Sequence, residues 1–418
     1  MYSGYAYVDG FFVNYRDIVV HLLDVCAIVF VTWLVGFQRL FADKSFMVLM
    51  VIMVAVVTVS VLVGMEGFVL YVGIRLLMYS SMVVGVLIFW GTTAHGKKQV
   101  TLCGISLAES VFWVLLVSGG IQALIGIAQF CTNSMVGLHI LGESQIQAGG
   151  YMASSVSLPT GVQLRAYGTL PHPNVLGGFL AITLFVFLSF VHRIRGPKSF
   201  VSIIIAVIIL AGICVTFSRV AWVVSLVMLI VFFFVYVRKY VSTHTSVGYV
   251  ILVSIILVVA GILSASDSVL GGVIRERLVH QSAVSDVSIS QRYELADRAW
   301  IVITQNPLFG VGMGTFIPAI ADNPVIDTHG IRIMQPVHAV VLLILAEIGV
   351  VGTMLLTGWF VILYRKLLCS WSAVWPVLVL VPLGAFDHYL WTLPQGMMLV
   401  FFVVIWGKIQ SDHSNMIQ

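Results

Sequence analysis

Charge is scarce in this sequence. Charged residues make up 9% of the chain and hydrophobic ones 60%. That balance excludes an ordinary soluble domain, where about a quarter of residues are charged. A basic segment leading into a short apolar core is missing from the start. Met1 to Asn14 is mildly polar and aromatic, so no cleavable signal peptide is expected. Cysteines are few and scattered. Cys26, Cys103, Cys131, Cys214 and Cys369 fall within or beside apolar runs without metal-ligand spacing, and five cannot all pair internally. They read as packing residues. No Walker-type lysine and no cytosolic nucleotide domain is visible. Nor is there an Asp-x-Asp pair of the kind that holds Mg²⁺, so neither metal nor cofactor is expected.

What the chain has in abundance is apolar length. Runs of about 18 residues or more recur, each able to cross a bilayer as a helix. They predict spans over 17–37, 45–64, 66–91, 106–131, 174–192, 199–216, 219–237, 247–265, 338–364, 371–390 and 394–409. The expectation is an all-α polytopic membrane protein, one membrane domain over 1–418 with about eleven transmembrane helices, within a range of about ten to twelve. Two longer polar stretches separate the spans, 132–173 and 266–337.

Placing both long loops outside gives a consistent orientation under the positive-inside rule. Lys44, Lys97, Lys98, Lys198, Lys239, Lys366 and Lys408 then all fall inside, with Arg39, Arg193, Arg195, Arg238 and Arg365. The outer side carries arginines and no lysine: Arg16, Arg165, Arg219 and a group in the large loop. A guanidinium grips phosphate oxygens bidentately where an ammonium cannot. The outer arginines therefore read as retained for contacts, and the inner lysines as topology anchors.

The large loop concentrates the polar residues. Ser288 followed by Gln291 resembles a capping box, predicting a helix to about Gln305 that Asn306-Pro307 stops. On it, Glu294 and Arg298 are four apart and can pair. Arg292 has no acid three or four positions away and is the better ligand candidate; the structural alternative is bonding to loop carbonyls. Gly310, Gly312 and Gly314 are spaced too loosely for a nucleotide motif and predict a tight turn. His338 opens a span at the outer interface, suited to taking a proton from an attacking hydroxyl, or simply tolerated there. Arg219 sits in a tight outer hairpin where a headgroup would meet it. His172, between prolines at the start of span five, reads as substrate-facing or structural. Asp387 is placed to orient a histidine, hold an acceptor or cap a helix. Two charges lie within spans, Arg75 and Glu347. Each is about nine residues from the outer face, so at about 1.5 Å per residue their depths match. They are expected to pair or to line one polar cavity, because an unpaired charge in lipid costs at least about 2.5 kcal/mol.

Several of these stretches together resemble the O-antigen ligase and polymerase superfamily. They are Gly168-Thr-x-x-His172-Pro-Asn174, Phe217-Ser-Arg219, Arg292 ahead of Trp300 and Pro307, and Gly310-x-Gly312-x-Gly314. His338 leading into Ala346-Glu347-x-Gly349, and Asp387-His-Tyr, complete the set. The resemblance runs from about Tyr167 to Trp391. It implies a bacterial inner-membrane glycosyltransferase of the GT-C type, metal-independent and inverting, whose active site faces the periplasm. It implies glycan transfer from undecaprenyl pyrophosphate to an acceptor hydroxyl. Carried over, Arg219 and Arg292 hold the pyrophosphate, His338 activates the acceptor and Asp387 supports it; Arg75, His172 and Arg298 complete the candidate binding set. The chain departs from the pattern at Ala339, where members usually have Asn.

The alternatives are a polysaccharide polymerase or a protein O-oligosaccharyltransferase of the same superfamily, and a lipid-linked sugar flippase. A transporter would be expected to show paired halves and broken helices near the midplane, and neither is visible in the sequence. A membrane scaffold would leave the outer arginines unexplained. The expected partners are the lipid bilayer, the lipid-pyrophosphate glycan donor and a glycan, lipid or protein acceptor, with no role for nucleic acid.

Overall fold

A computed structural model describes residues 7–8, 11–12, 43–64, 66–94, 101–102, 105–150, 153–158, 161–240, 283–326, 330, 332–365 and 374–415. The expected spans 17–37 and 247–265, and residues 266–282 of the large loop, lie outside them. The described chain is mostly helical. Its helices are α1 (Lys44–Gly64), α2 (Gly67–Ala94), α3 (Leu107–Thr132), α4 (Pro173–Phe190), α5 (Pro197–Val215) and α6 (Arg219–Tyr240). Then follow α7 (Ala283–Gln305), α8 (Phe316–Ala319), α9 (Val340–Leu363), α10 (Val374–Phe386), α11 (Tyr389–Thr392) and α12 (Pro394–Asn415). Strands occur only as short antiparallel hairpins among the described residues, the longest pairing Ser155–Leu158 with Gly161–Leu164.

Among the described residues, six helices are long and apolar enough to cross a membrane: Lys44–Gly64, Gly67–Leu87, Ala108–Thr132, Pro173–Arg193, Pro197–Val215 and Val340–Leu363. Arg219–Phe234 and Pro394–Gln410 are shorter apolar helices. These helices are apolar on all sides: Leu62, Val114 and Phe200 are exposed while Leu49, Leu116 and Ile209 are buried. Such a distribution suits helices whose outward faces meet lipid rather than water.

Two compact units make up the chain, Met1–Val100 with Val287–Gln418, and Thr101–Asp286. In the first, α1 packs on α2 and α9, and α12 packs on α2 and α10. Leu295, Ala299, Val302 and Ile303 bring one face of α7 into the same apolar core as Leu49, Leu343 and Trp359. In the second unit, α3 packs on α5 and α4, and α4 packs on α6. Small residues let these backbones approach: a Cβ on Gly212 would come within 2.6 Å of the Ala123 Cβ. Close approach at small residues is the usual means of association where lipid removes the hydrophobic drive between helices. Lys198 and Glu109 bond at 2.9 Å, joining the starts of α5 and α3, two ends the charge pattern places on one side.

Helix α9 is broken. Gly349 takes φ 65° and ψ −174°, a conformation that L side chains avoid. The polypeptide after α7 fills the break. Val311 and Gly312 N–H groups donate to the Ala346 and Glu347 carbonyls at 3.0 and 2.8 Å, and those of Val350 and Val351 donate to Pro307 and Leu308 at 2.9 and 3.0 Å. Backbone groups released by the break are thus satisfied by protein, as depth in a bilayer requires. The three glycines of this turn all have positive φ, and a Cβ on Gly310 would lie 2.5 Å from the Glu347 backbone. The glycine series and the Ala346-Glu347-x-Gly349 stretch are therefore two halves of one joint.

Candidate functional site

In the unit Thr101–Asp286, four helix ends are tied together by polar side chains. Arg165 is buried. Its Nε donates to the Thr216 carbonyl at 2.7 Å, Nη2 to Asn174 Oδ1 at 2.8 Å and Nη1 to Ser154 Oγ at 3.4 Å. Gln129 uses both ends of its amide. Nε2 donates to Glu143 Oε1 and the Gly168 carbonyl, each at 2.8 Å, and Oε1 accepts from Tyr167 and Gly168 N–H at 3.0 and 2.8 Å. Glu143 is buried and also accepts from the N–H groups of Val136 and Leu138. Burial pushes the Glu143 carboxyl up, but these hydrogen bonds outweigh it and hold the group below its ordinary pKa.

The Gly168 to Asn174 stretch acquires a local explanation. Gly168 adopts φ 61°, and Thr169 is gripped by Gln122 at 2.9 Å through its N–H and 2.8 Å through its hydroxyl. His172 caps α4, its Nδ1 accepting from Asn174 N–H at 3.2 Å, and its Nε2 lies 3.1 Å from Ser154 Oγ. Both ring nitrogens of His172 are engaged within the protein. The turn Thr216–Ser218 follows. Phe217 has φ 51° and packs between Phe130 and Trp222. Ser218 Oγ accepts from Ala221 N–H at 3.5 Å. Arg219 is then the first residue of α6, exposed, with no hydrogen bond or ion pair among the described residues.

In the other unit, His338 precedes the first turn of α9. Its Nδ1 lies 3.9 Å from Asp387 Oδ1, and the two side chains are 19% and 11% exposed. That separation exceeds a hydrogen bond, and His338 Nδ1 is buried with no hydrogen-bond partner among the described residues. Asp387 and His388 form the bend between α10 and α11. Asp387 Oδ1 accepts from His388 N–H at 2.8 Å. The His388 ring stands 5.3 Å from that of His338, and its Nδ1 is 2.8 Å from Thr392 Oγ1. One ligand atom from each of His338, Asp387 and His388 lies within 4.8 Å of the other two.

Arg292 lies on the face of α7 that carries buried Leu295 and Ala299. The helix itself agrees with the sequence reading in its end at Gln305 and begins earlier than Ser288, at Ala283. The suggested Glu294–Arg298 pair does not form among the described residues: Arg298 Nε is buried without a hydrogen-bond partner. An exposed pair at this spacing is worth only about 0.2–0.5 kcal/mol, too little to hold a side chain that is half-buried. Arg75 is buried with its guanidinium 4.4 Å above the Tyr71 ring. Glu347 is buried and accepts from Trp391 Nε1 at 2.8 Å. Ala339 occupies the N-cap of α9 with no side-chain bond to the exposed N–H groups.

Sequence reasoning passed over Gln129, Glu143, Arg165 as a clamp, and His388. Gln129 and Arg165 meet partners as far as 39 and 51 positions away in sequence. No curated protein matches the chain. Residues 204–357, however, match the family model described as O-antigen ligase. That interval contains Arg219, Arg292, Arg298, His338, Glu347 and the broken-helix joint. The chain is thus a membrane protein, by its long apolar helices, with a segment over residues 204–357 that is similar to the O-antigen ligase family.

Proposed function

We propose that the protein is an O-antigen ligase-like glycosyltransferase of the bacterial cytoplasmic membrane. It moves a glycan from undecaprenyl pyrophosphate onto an acceptor hydroxyl at the periplasmic face, with inversion and without a catalytic metal. About eleven spans, with the N-terminus outside, belong to the same reading. The observation that carries it is His338, half-buried beside Asp387 and His388, in a chain bearing the O-antigen ligase match over residues 204–357.

In this reading His338 takes the acceptor hydroxyl proton as the oxygen bonds to the anomeric carbon. The bond from that carbon to the pyrophosphate oxygen breaks on the opposite face, and its electron pair leaves with the pyrophosphate. Asp387 steadies the imidazolium formed at His338. Arg292 offsets the charge of the leaving group. Guanidinium contacts do this without a metal because the leaving group is already anionic, and one such donor supplies about 3–4 kcal/mol of transition-state stabilisation. Arg298 adds a sugar or phosphate contact.

The test is transfer by purified protein from a lipid-pyrophosphate glycan, with EDTA present, for wild type, Arg292→Ala and His338→Ala. EDTA-resistant transfer that falls about 10²–10⁴-fold in both variants is expected. Donor binding without transfer to any acceptor, untouched by His338→Ala, would instead support a flippase. The productive acceptor, whether core sugar, second lipid-linked repeat or protein hydroxyl, names the subclass.

The same reading pairs Arg75 with Glu347 inside the membrane. The turn 310–314 supports this: Gly312 bonds the Glu347 carbonyl, while a Cβ on Gly314 would touch Phe68 and Val72, one turn from Arg75. A double-mutant cycle with Arg75→Gln and Glu347→Gln is expected to show coupling of about 0.5–3 kcal/mol. Additive effects would dismiss the pair.

A further inference from the structure

We propose that His338, Asp387 and His388 form a binding site for a divalent transition-metal ion of the zinc class, and that an ion held there shuts the enzyme off. Two imidazoles and a carboxylate are a donor set that zinc accepts with one position left open. Their ligand atoms already lie within 4.8 Å of one another. Two ligands about 2.1 Å from a tetrahedral ion are about 3.4 Å apart, so small side-chain rotations suffice to close the set.

The hydrogen bonds around the cluster favour ligation. Thr392 Oγ1 donates to the His388 carbonyl at 3.2 Å. The short contact between Thr392 Oγ1 and His388 Nδ1, at 2.8 Å, then has the imidazole as donor. That tautomer leaves the lone pair on Nε2. A ligating histidine whose other nitrogen is committed to a neighbour is the usual outer-shell arrangement, fixing the ring and raising its basicity. Asp387 is oriented by accepting from the His388 backbone N–H. His338 Nδ1 is buried without a hydrogen-bond partner among the described residues, so an ion there would satisfy a group that the protein does not. The partial exposure of His338 leaves a way in.

Occupation bonds the metal to the lone pair of His338 Nδ1; the single proton of the neutral ring then sits on Nε2, so no lone pair is left to receive a proton from the acceptor. The binding claim stands on the geometry alone; the inhibition rests on the glycosyl-transfer reading.

The experiment titrates EDTA-treated, dialysed full-length protein in lipid nanodiscs with Co²⁺ alone, following visible d–d absorption, and then adds Zn²⁺. One saturating equivalent displaced by Zn²⁺ is expected. Asp387→Asn and His388→Gln should abolish it, and Thr392→Val should weaken it about 10–100-fold. If His388→Gln does not fold, Asp387→Asn and Thr392→Val decide the matter. No saturable band, or unchanged affinity across the variants, would overturn the site. In the transfer assay Zn²⁺ should suppress the wild type and EDTA restore it. Cobalt binding with undiminished transfer would keep the site but overturn the block and the role of His338.

Discussion

The Arg165 clamp and the His338 bend use similar residue types to opposite ends. Around Arg165, all three guanidinium nitrogens find acceptors, and the carboxylate of Glu143 collects three donors. Around His338, the carboxylate stands 3.9 Å off and a buried ring nitrogen has no hydrogen-bond partner among the described residues. A buried polar group with every arm engaged contributes shape and stability; one left wanting costs free energy unless a ligand completes it. The contrast separates the arginines too. Arg165 has no arm to spare for a headgroup, whereas Arg219, presented by the turn that Arg165 holds, does.

The largest effect that would sharpen this contrast comes from Arg165→Ala. It leaves the Thr216 carbonyl and Asn174 without their donor, and a loss of about 3 kcal/mol in unfolding free energy is expected. Arg165→Lys should fail to restore it, because an ammonium cannot reach three diverging acceptors through one planar fork. Wild-type stability in Arg165→Ala would break the distinction between clamp and contact.

A smaller effect is expected from acid. The folded-state pKa of Glu143 is depressed below its ordinary 4.5. Its contribution is therefore fully present above that unfolded value and lost as pH falls through the lower folded value. Thermal midpoints of wild type should drop across that interval relative to Glu143→Gln; parallel curves would show that the carboxylate is not holding the loop.

Smallest is a gain at Ala339. An Asn at this uncapped N-cap accepts from the first turn of α9, and Ala339→Asn should add about 0.5–2 kcal/mol. Unchanged thermal stability would mean that water already serves those N–H groups.

Much of the helix layout was readable from apolar length, since spans are dictated by bilayer thickness and few charges interrupt them. Spans 45–64, 106–131, 174–192 and 199–216 fall within a residue or two of α1, α3, α4 and α5. The helix stop at Asn306-Pro307 and the glycine turn were legible because proline and glycine act locally. What was not legible depends on tertiary reach. Nothing near Arg165 in sequence announces a bond to Thr216, fifty-one positions on. The Glu294–Arg298 spacing suggested a pair, but weak surface attraction yields to the partial burial of Arg298. The break at Gly349 was visible as a glycine in a family motif, not as a break, because the groups that repair it come from Pro307 to Gly312.

The central claim is that His338 receives the acceptor proton while other residues hold the donor. The most direct measurement is single-turnover transfer beside donor affinity, for wild type and His338→Ala. The account predicts transfer slowed about 10²–10⁴-fold with donor affinity unchanged. Transfer at the wild-type rate, or a loss of donor binding that explains the whole deficit, would contradict it.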